Sequence, residues 1–306
     1  MTGRELEVTS PLRAVFDLLD LDQVGANQFS GGQPKENRER VFGGQLAAQA
    51  LMAAARTAHG RLPFSLQVLF VRPGDPTVPI EYAVETVRDG KTLSVRRVSA
   101  RQHGRTIVDA MATFGPADQE SDEGWTAPEY QHPMPTVTAP ESLPRVEVQL
   151  APYAHEYDGW WVRPRPFDMR YVTTPPRIAM ELPATDSRIN RLWLRADGPM
   201  PADPLLTSCL ITYVSDLTLL DPVMIAARRT SRGPGFTASL NHSLWFHRTV
   251  KLDDWMLYDQ LSSSATGGRG LVSGAMFNRS GELSCLVSQE GYLSAAGTSV
   301  ASEASR

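Results

Sequence analysis

The same order of secondary structure is predicted twice along this chain, and this repetition is the feature that most constrains the fold. Each block begins with a long helix, at residues 43–60 and 204–227, and continues with four segments rich in Val, Ile and Leu. These strand-like segments are residues 64–71, 80–87, 93–101 and 106–114 in the first block, and 238–248, 255–262, 270–278 and 283–293 in the second. The register that places Gly90 on Gly267 also places Gly104 on Gly281, which indicates an internal duplication.

Within the first block, turn signals separate the strand-like segments. Asp89-Gly90 is typical of a tight hairpin turn, and His103-Gly104 favours a second one, so the last three strands should form an antiparallel meander. The preceding helix opens at Gly43 and Gly44 and is rich in alanine, which predicts close packing against a broad surface such as a curved sheet. A helix followed by an antiparallel sheet is an α+β arrangement.

Composition and length favour two domains joined by a linker. The chain has 306 residues, and six prolines lie between Pro128 and Pro152 in a stretch with little periodicity. We therefore predict an N-terminal domain at 1–118, a Pro-rich linker crossing the surface at 119–156 and a C-terminal domain at 157–300. A short amphipathic helix is predicted at 12–21, and further strands at 167–171 and 190–195.

One carboxylate interrupts the most apolar stretch of the sequence. Residues 205–215 carry no charge, and Asp216 follows directly. Helical periodicity through residue 227 would place Asp216 on a flank shared with Cys209 and Thr212, close to the apolar side. A carboxylate there loses solvation unless partners hydrogen-bond it, although a helix-end or surface aspartate without a role is the alternative.

The overall charge and the cysteine content exclude several classes of protein. The net charge is −4 and no long basic cluster occurs, so binding to a nucleic-acid backbone is not expected. Cys209 and Cys285 lie in apolar stretches and are predicted to be reduced core residues. The N-terminus lacks an apolar signal region, no uninterrupted apolar run could span a membrane, and Ala304-Ser305-Arg306 differs from the peroxisomal SKL address. We therefore expect a soluble, cytoplasmic protein.

Six sequence words, in order along the chain, resemble those of a known family. They are DLLDLDQVGANQFSG near the start, VFGGQLAAQAL at 41–51, FVRPGD at 70–75, YVSDLTLL at 213–220, SLNHSLWFHR at 239–248 and SQEGYL at 288–293. The family is that of the type II (TesB-like) acyl-CoA thioesterases. The resemblance implies two hot-dog domains in tandem, a double hot dog, in which each curved antiparallel sheet wraps a long central helix. It also implies hydrolysis of medium- to long-chain fatty acyl-CoA to a free fatty acid and CoA, a role in lipid metabolism.

The resemblance also implies a catalytic trio in the second half. The family's Asp falls on Asp216, its hydroxyl residue on Ser239 and its Gln on Gln289. Relatives usually carry threonine where Ser239 stands, a change that keeps the hydroxyl. Some relatives differ at two further positions, with aspartate at the place of Asn241 and histidine at the place of Gln67.

Further residues of the matching words are predicted to contact the substrate. They are Gly43, Gly44, Gln45 and His242. The CoA phosphates should reach surface arginines, with Arg72, Arg88, Arg248 and Arg269 as candidates among which the sequence does not select. In the register of the duplication, Ala112 lies opposite Gln289, so we expect the N-terminal domain to be the non-catalytic repeat.

The chemistry of a thioester suits these three side chains. Its leaving group is a thiolate with a pKa near ~8.5, so departure needs little help from an acid. The reaction needs a positioned water and stabilisation of the developing oxyanion. Asp216 can act as a base or orient the water, while Ser239 and Gln289 can each donate and accept hydrogen bonds.

Nucleophilic and metal-dependent mechanisms are less consistent with the sequence. GLVSG at 270–274 lacks the spacing of a nucleophile elbow, and neither cysteine has a neighbouring base. His242 and His247 would lie on opposite faces of a strand, which a metal chelate would not tolerate. We therefore expect no metal and no cofactor, with CoA entering only as part of the substrate.

Two alternative functions and one assembly state complete the predictions. The protein could be an acyl-CoA-binding hot-dog protein without hydrolytic activity, although such a binder would not need the complete trio. An enoyl-CoA hydratase on the same fold would pair an Asp with a His on the central helix, and the helix around Asp216 contains no histidine. By analogy with other hot-dog proteins, a homodimer or homotetramer is expected.

Overall fold

The structure, a computed structural model, describes residues 10–34, 39–117, 128–184, 188–249 and 251–294. The two ends of the predicted domains (1–9 and 295–300), the first part of the linker (119–127) and the C-terminal tripeptide lie outside the described residues. Six α-helices and thirteen strands occur in the described part of the chain.

The elements follow the predicted order. The helices are α1 (Pro11–Leu19), α2 (Gly43–Arg56), α3 (Val146–Gln149), α4 (Pro176–Ala179), α5 (Pro204–Ser215) and α6 (Asp221–Ala226). The strands of the first half are β1 (Asp22–Gly25), β2 (Gln28–Gly31), β3 (Arg61–Phe70), β4 (Ile80–Asp89), β5 (Ser94–Gln102) and β6 (Arg105–Pro116). Those of the second half are β7 (Phe167–Tyr171), β8 (Ile189–Ala196), β9 (Phe236–Ser239), β10 (Asn241–Phe246), β11 (Met256–Thr266), β12 (Arg269–Asn278) and β13 (Leu283–Ser294). The hairpin of β1 and β2 was not among the predicted strands.

All strands belong to one antiparallel sheet whose order reads symmetrically from its centre. The order is β1-β2-β4-β5-β6-β3-β10-β13-β12-β11-β8-β7, with β9 pairing beside β13. The seam between the halves is the pairing of β3 with β10, in which Leu244 lies opposite Leu66. Helix α2 packs on β3–β6 and also against α5. This arrangement is the predicted α+β double hot dog.

The strands keep the register of the predicted duplication, but the helices do not. Strands β4 and β6 begin at Ile80 and Arg105, and their counterparts β11 and β13 begin at Met256 and Leu283, each within one residue of the offset that separates Gly90 from Gly267. The same offset from Gly43 would reach Leu220, yet α5 already begins at Pro204. The difference arises because α6 and the loop after it lengthen the connection from α5 to β9.

The alanine content of α2 has the predicted structural basis. Ala47, Ala48, Ala50, Ala53 and Ala54 are all completely buried, because α2 contacts the sheet on one side and α5 on another. Small side chains allow both surfaces to approach the helix axis closely. The two helices come into close contact at Gly44, where an added Cβ would lie 2.5 Å from the Tyr213 carbonyl oxygen.

The prediction of one helix from 204 to 227 was wrong, because the helix breaks after Ser215. Asp216 caps α5, residues 216–220 form turns, and α6 starts at Asp221. Pro222 lies in the first turn of α6, where its missing N–H and its ring are tolerated; inside a continuous helix they would not be. Leu217, which a continuous helix would place on the same face as Leu210 and Tyr213, is 37% exposed in this turn.

The segment predicted as one strand at 238–248 is two strands separated by an irregularity at Leu240. Ser243 lies opposite Ser288 and Ser239 lies opposite Gly291, so four residue steps on this side span three steps of β13. One extra residue in a strand reverses the face on which the following side chains lie. In a regular strand, side chains three residues apart lie on opposite faces, so the buried His242 would leave Ser239 facing away from the interior. Because of the extra residue, Ser239 lies on the inner face with His242.

The described part of the linker packs against the second half. Val146, Leu150 and Tyr153 are buried, and the Trp193 indole N–H donates to the Thr138 carbonyl at 2.9 Å. A second, smaller hydrophobic cluster on that face of the sheet includes Trp193 and is covered by residues 134–143 of the linker. No helix in the described ranges combines the length and apolar character that crossing a membrane requires.

We predict that Gly44→Ala destabilises the protein. The new methyl group would lie 2.5 Å from a backbone oxygen of α5, which cannot move without shifting that helix. Overpacking of this kind costs about 1–3 kcal/mol, so thermal or urea unfolding should show a lower midpoint. Gly32→Ala is the matched control, because no atom lies within 4 Å of its added Cβ. Equal stability of the two variants would contradict the close helix contact.

Candidate active site

Asp216 lies where the end of α5 meets the beginning of α2. The Gly44 backbone N–H donates a hydrogen bond to its carboxylate. A Cβ on Gly43 would lie 2.8 Å from Asp216 Oδ2, so glycine is needed for this approach. No side chain caps α2 at its N-cap residue Phe42. The Asp216 carboxylate therefore takes the place of a capping group, where the free N–H groups and the helix dipole favour a negative charge.

Two side chains from the second half of the sheet converge on the same carboxylate. Gln289 Nε2 donates to Asp216 Oδ1 at 2.7 Å and also contacts Ser239 Oγ at 2.5 Å. Ser239 Oγ lies 3.4 Å from Asp216 Oδ1, a longer contact in which the hydroxyl donates. The three residues predicted as the trio thus lie together, on the α5 cap, the end of β9 and the middle of β13.

Opposing effects set the protonation of Asp216. Burial raises the pKa of its carboxyl to about 6, while hydrogen bonds from Gln289, Gly44 and Ser239 and the charge of Arg40 oppose that rise. A carboxylate that is mostly ionised at neutral pH but more basic than usual is well suited to accept a proton.

The predicted substrate-contacting residues have different surroundings. Gly43 and Gly44 form the N-terminus of α2 beside Asp216. Gln45 is buried, and its amide nitrogen donates to the Gly32 carbonyl and to Gln33 Oε1, each at 3.2 Å, which ties the loop after β2 to the helix. His242 is fully buried behind Gln289.

An arginine-rich cleft is formed largely by the connection between α6 and β9. Its volume is about 730 Å³, and Arg177, Arg228, Arg229 and Arg232 are among its lining residues. The charge of Arg40 opposes the rise in the pKa of Asp216, and burial together with repulsion from Arg232 lowers the pKa of Arg40. Arg40 also donates to the Thr237 carbonyl in β9.

The four arginines singled out in the sequence do not line this cleft. Arg72 and Arg248 donate to backbone carbonyls, and Arg269 pairs with Glu290 at 3.2 Å. The cleft arginines were not among those candidates, and three of them lie in the connection between α6 and β9, to which the sequence had assigned no element. The sequence signal for this cluster was the closeness of three arginines, at positions 228, 229 and 232.

Other reactive groups lie apart from the cluster or are inert. Burial raises the pKa of both cysteine thiols far above the usual value, so neither is a nucleophile at neutral pH. Among the described residues no group of three or more His, Cys, Asp or Glu side chains could hold a metal ion.

Comparisons with known proteins identify the family of this chain. The profile of the acyl-CoA thioesterase family matches residues 165–292, and that of the acyl-CoA thioesterase N-terminal domain matches residues 33–115. Acyl-CoA thioesterase 2 of Haemophilus influenzae is 33% identical over 290 residues, with 92% of this chain and 97% of the relative covered. The chain belongs to the acyl-CoA thioesterase family. Acyl-coenzyme A thioesterase 8 of Homo sapiens is also 33% identical, covering 91% of this chain and 88% of the human protein.

Solved structures of this family share the fold. The tesB protein of Mycobacterium avium subs paratuberculosis superposes with a TM-score of 0.75 at 36% identity, covering 92% of this chain and 99% of the other. The acyl-CoA thioesterase II TesB2 of Mycobacterium marinum gives a TM-score of 0.72 at 34% identity, with the same coverage. The alignments therefore include both halves of the sheet.

A second buried acid predicts a pH-dependent stability. Burial raises the pKa of Asp221 to about 7, opposed by a hydrogen bond that Tyr171 Oη donates at 2.9 Å. The pKa of Asp221 is higher in the folded protein than in the unfolded chain, so the folded state holds the proton more tightly and is stabilised by it at low pH. That stabilisation is lost as the pH rises towards 7.

We expect Asp221→Asn to remove that loss. At pH 8 the variant should be more stable than the wild type by on the order of 2 kcal/mol, and near pH 4 the difference should vanish or reverse. Urea denaturation at both pH values measures it. Asp22→Asn, a change at an exposed carboxylate, is the control and should leave the pH dependence unchanged. A difference between Asp221→Asn and wild type that is the same at both pH values would contradict the buried-acid explanation.

Proposed function

We propose that this protein hydrolyses fatty acyl-CoA thioesters with a water molecule held by Asp216, Ser239 and Gln289. The observation that carries the proposal is the convergence of Gln289 Nε2 and Ser239 Oγ on one oxygen of Asp216. Membership of the acyl-CoA thioesterase family supports the substrate class. The family resemblance favours medium- to long-chain acyl groups.

In the proposed reaction, Asp216 accepts a proton as the oxygen of the water attacks the thioester carbonyl carbon. The carbonyl electrons move to oxygen and form a tetrahedral oxyanion. Its collapse breaks the carbon–sulfur bond, and the departing CoA thiolate takes the proton held by Asp216, which returns to its ionised form. The fatty acid loses the remaining proton of the attacking water to solvent and leaves as a carboxylate. The Gly44 N–H binds Asp216, and the Leu46 N–H donates to the Phe42 carbonyl. We therefore assign the oxyanion to the N–H groups of Gly43 and Gln45 in the same turn of α2.

We assign the CoA phosphates to the arginine-rich cleft. A guanidinium presents several donors in a plane, which suits phosphate oxygens. Arg232 lies over the Trp160 ring at 3.6 Å from its centroid, so the guanidinium is pre-positioned by stacking. The residues that line the cleft at 228–234 directly precede β9, which ends at Ser239, so the cleft and one member of the trio lie on the same short segment of the chain.

The two alternative functions receive less support. A binder without hydrolytic activity would not need a buried carboxylate whose pKa is raised to about 6 beside an amide and a hydroxyl. A hydratase would require an imidazole free to contact substrate, whereas both ring nitrogens of His242 contact protein side chains. Assembly into a homodimer or homotetramer and a cytoplasmic location stay predictions from the sequence.

The first test measures the release of free CoA from palmitoyl-CoA with a thiol reagent. A parallel assay measures the consumption of crotonyl-CoA, the substrate of a hydratase. We expect thiol release without crotonyl-CoA hydration. Asp216→Asn and Gln289→Ala should each lower kcat by roughly 10²–10³-fold, because each removes a group that acts in the transition state. Ser239→Ala should have a smaller effect, since its contact with Asp216 is long at 3.4 Å.

The pH profile provides a second readout of the same assignment. Asp216 must be ionised to accept a proton, so kcat/KM should rise as pH increases through about 6 and level off above it. Asp22→Asn is the control and should keep wild-type rates. If Asp216→Asn hydrolyses the thioester at the wild-type rate, the proposed mechanism is wrong. If only Ser239→Ala leaves the rate unchanged, the role of the serine alone is wrong.

We predict that Arg232→Gln weakens binding of CoA thioesters. The loss of a charge-assisted hydrogen bond to phosphate should raise KM roughly tenfold with little change in kcat. The same acyl group on N-acetylcysteamine, which lacks the phosphates, should be hydrolysed at the same rate by variant and wild type. An equal loss with both thioesters would place the phosphates elsewhere.

A further inference from the structure

His242 forms a second layer behind the proposed catalytic amide. It lies in β10 with no exposed surface. Its Nδ1 is 2.9 Å from Gln289 Oε1, and its Nε2 is 2.8 Å from Ser215 Oγ. The side chains of Ser215, His242, Gln289 and Asp216 therefore form one continuous hydrogen-bonded series from the end of α5, across the sheet, and back to the α5 cap.

The donor and acceptor roles in this series are determined from the Asp216 end. An ionised carboxylate only accepts hydrogen bonds, so the Gln289 amide must direct its NH₂ group towards Asp216 and Ser239. Gln289 Oε1 then faces His242 and needs a donor, which only an Nδ1–H can supply. Burial lowers the pKa of His242 to about 4, so the ring is neutral and its Nε2 must be an acceptor.

The Ser215 hydroxyl completes the series. It has one proton and two acceptors within reach, the Thr212 carbonyl at 2.9 Å and His242 Nε2 at 2.8 Å. Donation to Nε2 is compatible with the Nδ1–H tautomer, whereas an Nε2–H would leave Gln289 Oε1 facing a bare nitrogen. The Tyr258 hydroxyl donates to the Ser215 carbonyl at 3.0 Å and holds this residue in place.

We propose that His242 is a positioning residue which, as the neutral Nδ1–H tautomer, fixes the orientation of the Gln289 amide towards Asp216 and Ser239. An amide can turn over and exchange its oxygen with its nitrogen with almost no change in shape, so packing alone does not select one orientation. The reversed amide would place its oxygen against the carboxylate and remove the hydrogen bond that the proposed reaction requires. His242 prevents this reversal by donating to the amide oxygen.

This inference rests on the proposed function, and its test separates the two. In His242→Asn, the amide nitrogen of the new residue can occupy the place of Nδ1 and donate to Gln289. In His242→Gln, the longer side chain fills more of the space and can reach Ser215, but it has no donor at the Nδ1 position. If His242 only fills space, the Gln variant should retain more activity than the Asn variant. If His242 positions Gln289, the Asn variant should retain more.

The expected result is a clear order in palmitoyl-CoA hydrolysis. His242→Asn should keep kcat within a few-fold of wild type, and His242→Gln should lower it roughly 10²-fold with KM little changed. In the Gln variant, the acidic limb of the pH profile should also move to higher pH, because Asp216 loses the hydrogen bond that stabilises its ionised form. The Gly44 N–H, Ser239 and Arg40 are the other groups that stabilise this carboxylate, and both variants retain them.

A control for general destabilisation is Arg96→Leu. Arg96 is buried at the opposite end of α2, where it bonds Thr57 and Asp89. This variant should lower the melting temperature without moving the pH profile. If the kcat of His242→Gln equals or exceeds that of His242→Asn, the positioning role is wrong. The same holds if neither variant changes kcat while Asp216→Asn lowers it, and in that case the proposed hydrolysis stands. If Asp216→Asn has wild-type activity, the proposed function itself fails.

Nitrogen NMR of the wild-type protein gives a test that does not depend on a measurement of activity. With labelled histidine, one of the six histidines should show a protonated Nδ1 and an unprotonated Nε2 at neutral pH, and its signal should disappear in His242→Asn. A His242 ring that is protonated at Nε2, or at both nitrogens, would overturn the inference.

Discussion

The hydrogen bond from Gly44 to Asp216 joins the two halves of this protein at a buried polar cluster. Gly44 belongs to the helix of the first half, and Asp216 caps the helix of the second. Burying a carboxylate is unfavourable, and here the cost is offset by an uncapped helix N-terminus, an amide and a hydroxyl. The rest of the proposed site depends on this contact, because Gln289 and Ser239 are arranged around the same oxygen of Asp216.

Two local departures from regular structure produce this arrangement. Helix α5 ends at Ser215, so Asp216 is its C-cap residue and lies beside the N-terminus of α2. The extra residue near Leu240 places Ser239 on the inner face, beside Gln289. A continuous helix and an unbroken strand would each satisfy backbone hydrogen bonds more simply. Irregularities of this kind commonly re-aim side chains beside functional sites.

Most of the fold could be predicted from the sequence because its signals are local. The strand at 167–171 was predicted with the bounds that β7 has, and Asp89-Gly90 marks the turn between β4 and β5. The two breaks could not be predicted in this way, since apolar periodicity runs through Asp216 and β-forming residues run through Leu240. They depend on contacts with α2 and β13, which are distant in sequence.

The candidate site was predicted unevenly for a related reason. Asp216, Ser239 and Gln289 were found through sequence words, and the structure places them together. The relation of His242 to Gln289 was not found, because a buried histidine on a strand is indistinguishable in sequence from a packing residue. The arginine cleft was missed because Arg228, Arg229 and Arg232 come together with Arg177 only when the α6–β9 connection folds beside α4.

The single sheet that runs through the seam of β3 and β10 joins the two halves of the protein. The trio lies in the second half, but the Gly44 N–H that binds Asp216 belongs to the first half. The main hydrophobic core also runs through both halves as one cluster. Opening of the contact between α2 and α5 would therefore admit water to the Asp216 carboxylate while the strands of the second half stayed paired, and the pKa of Asp216 would fall towards the value of a solvated aspartate.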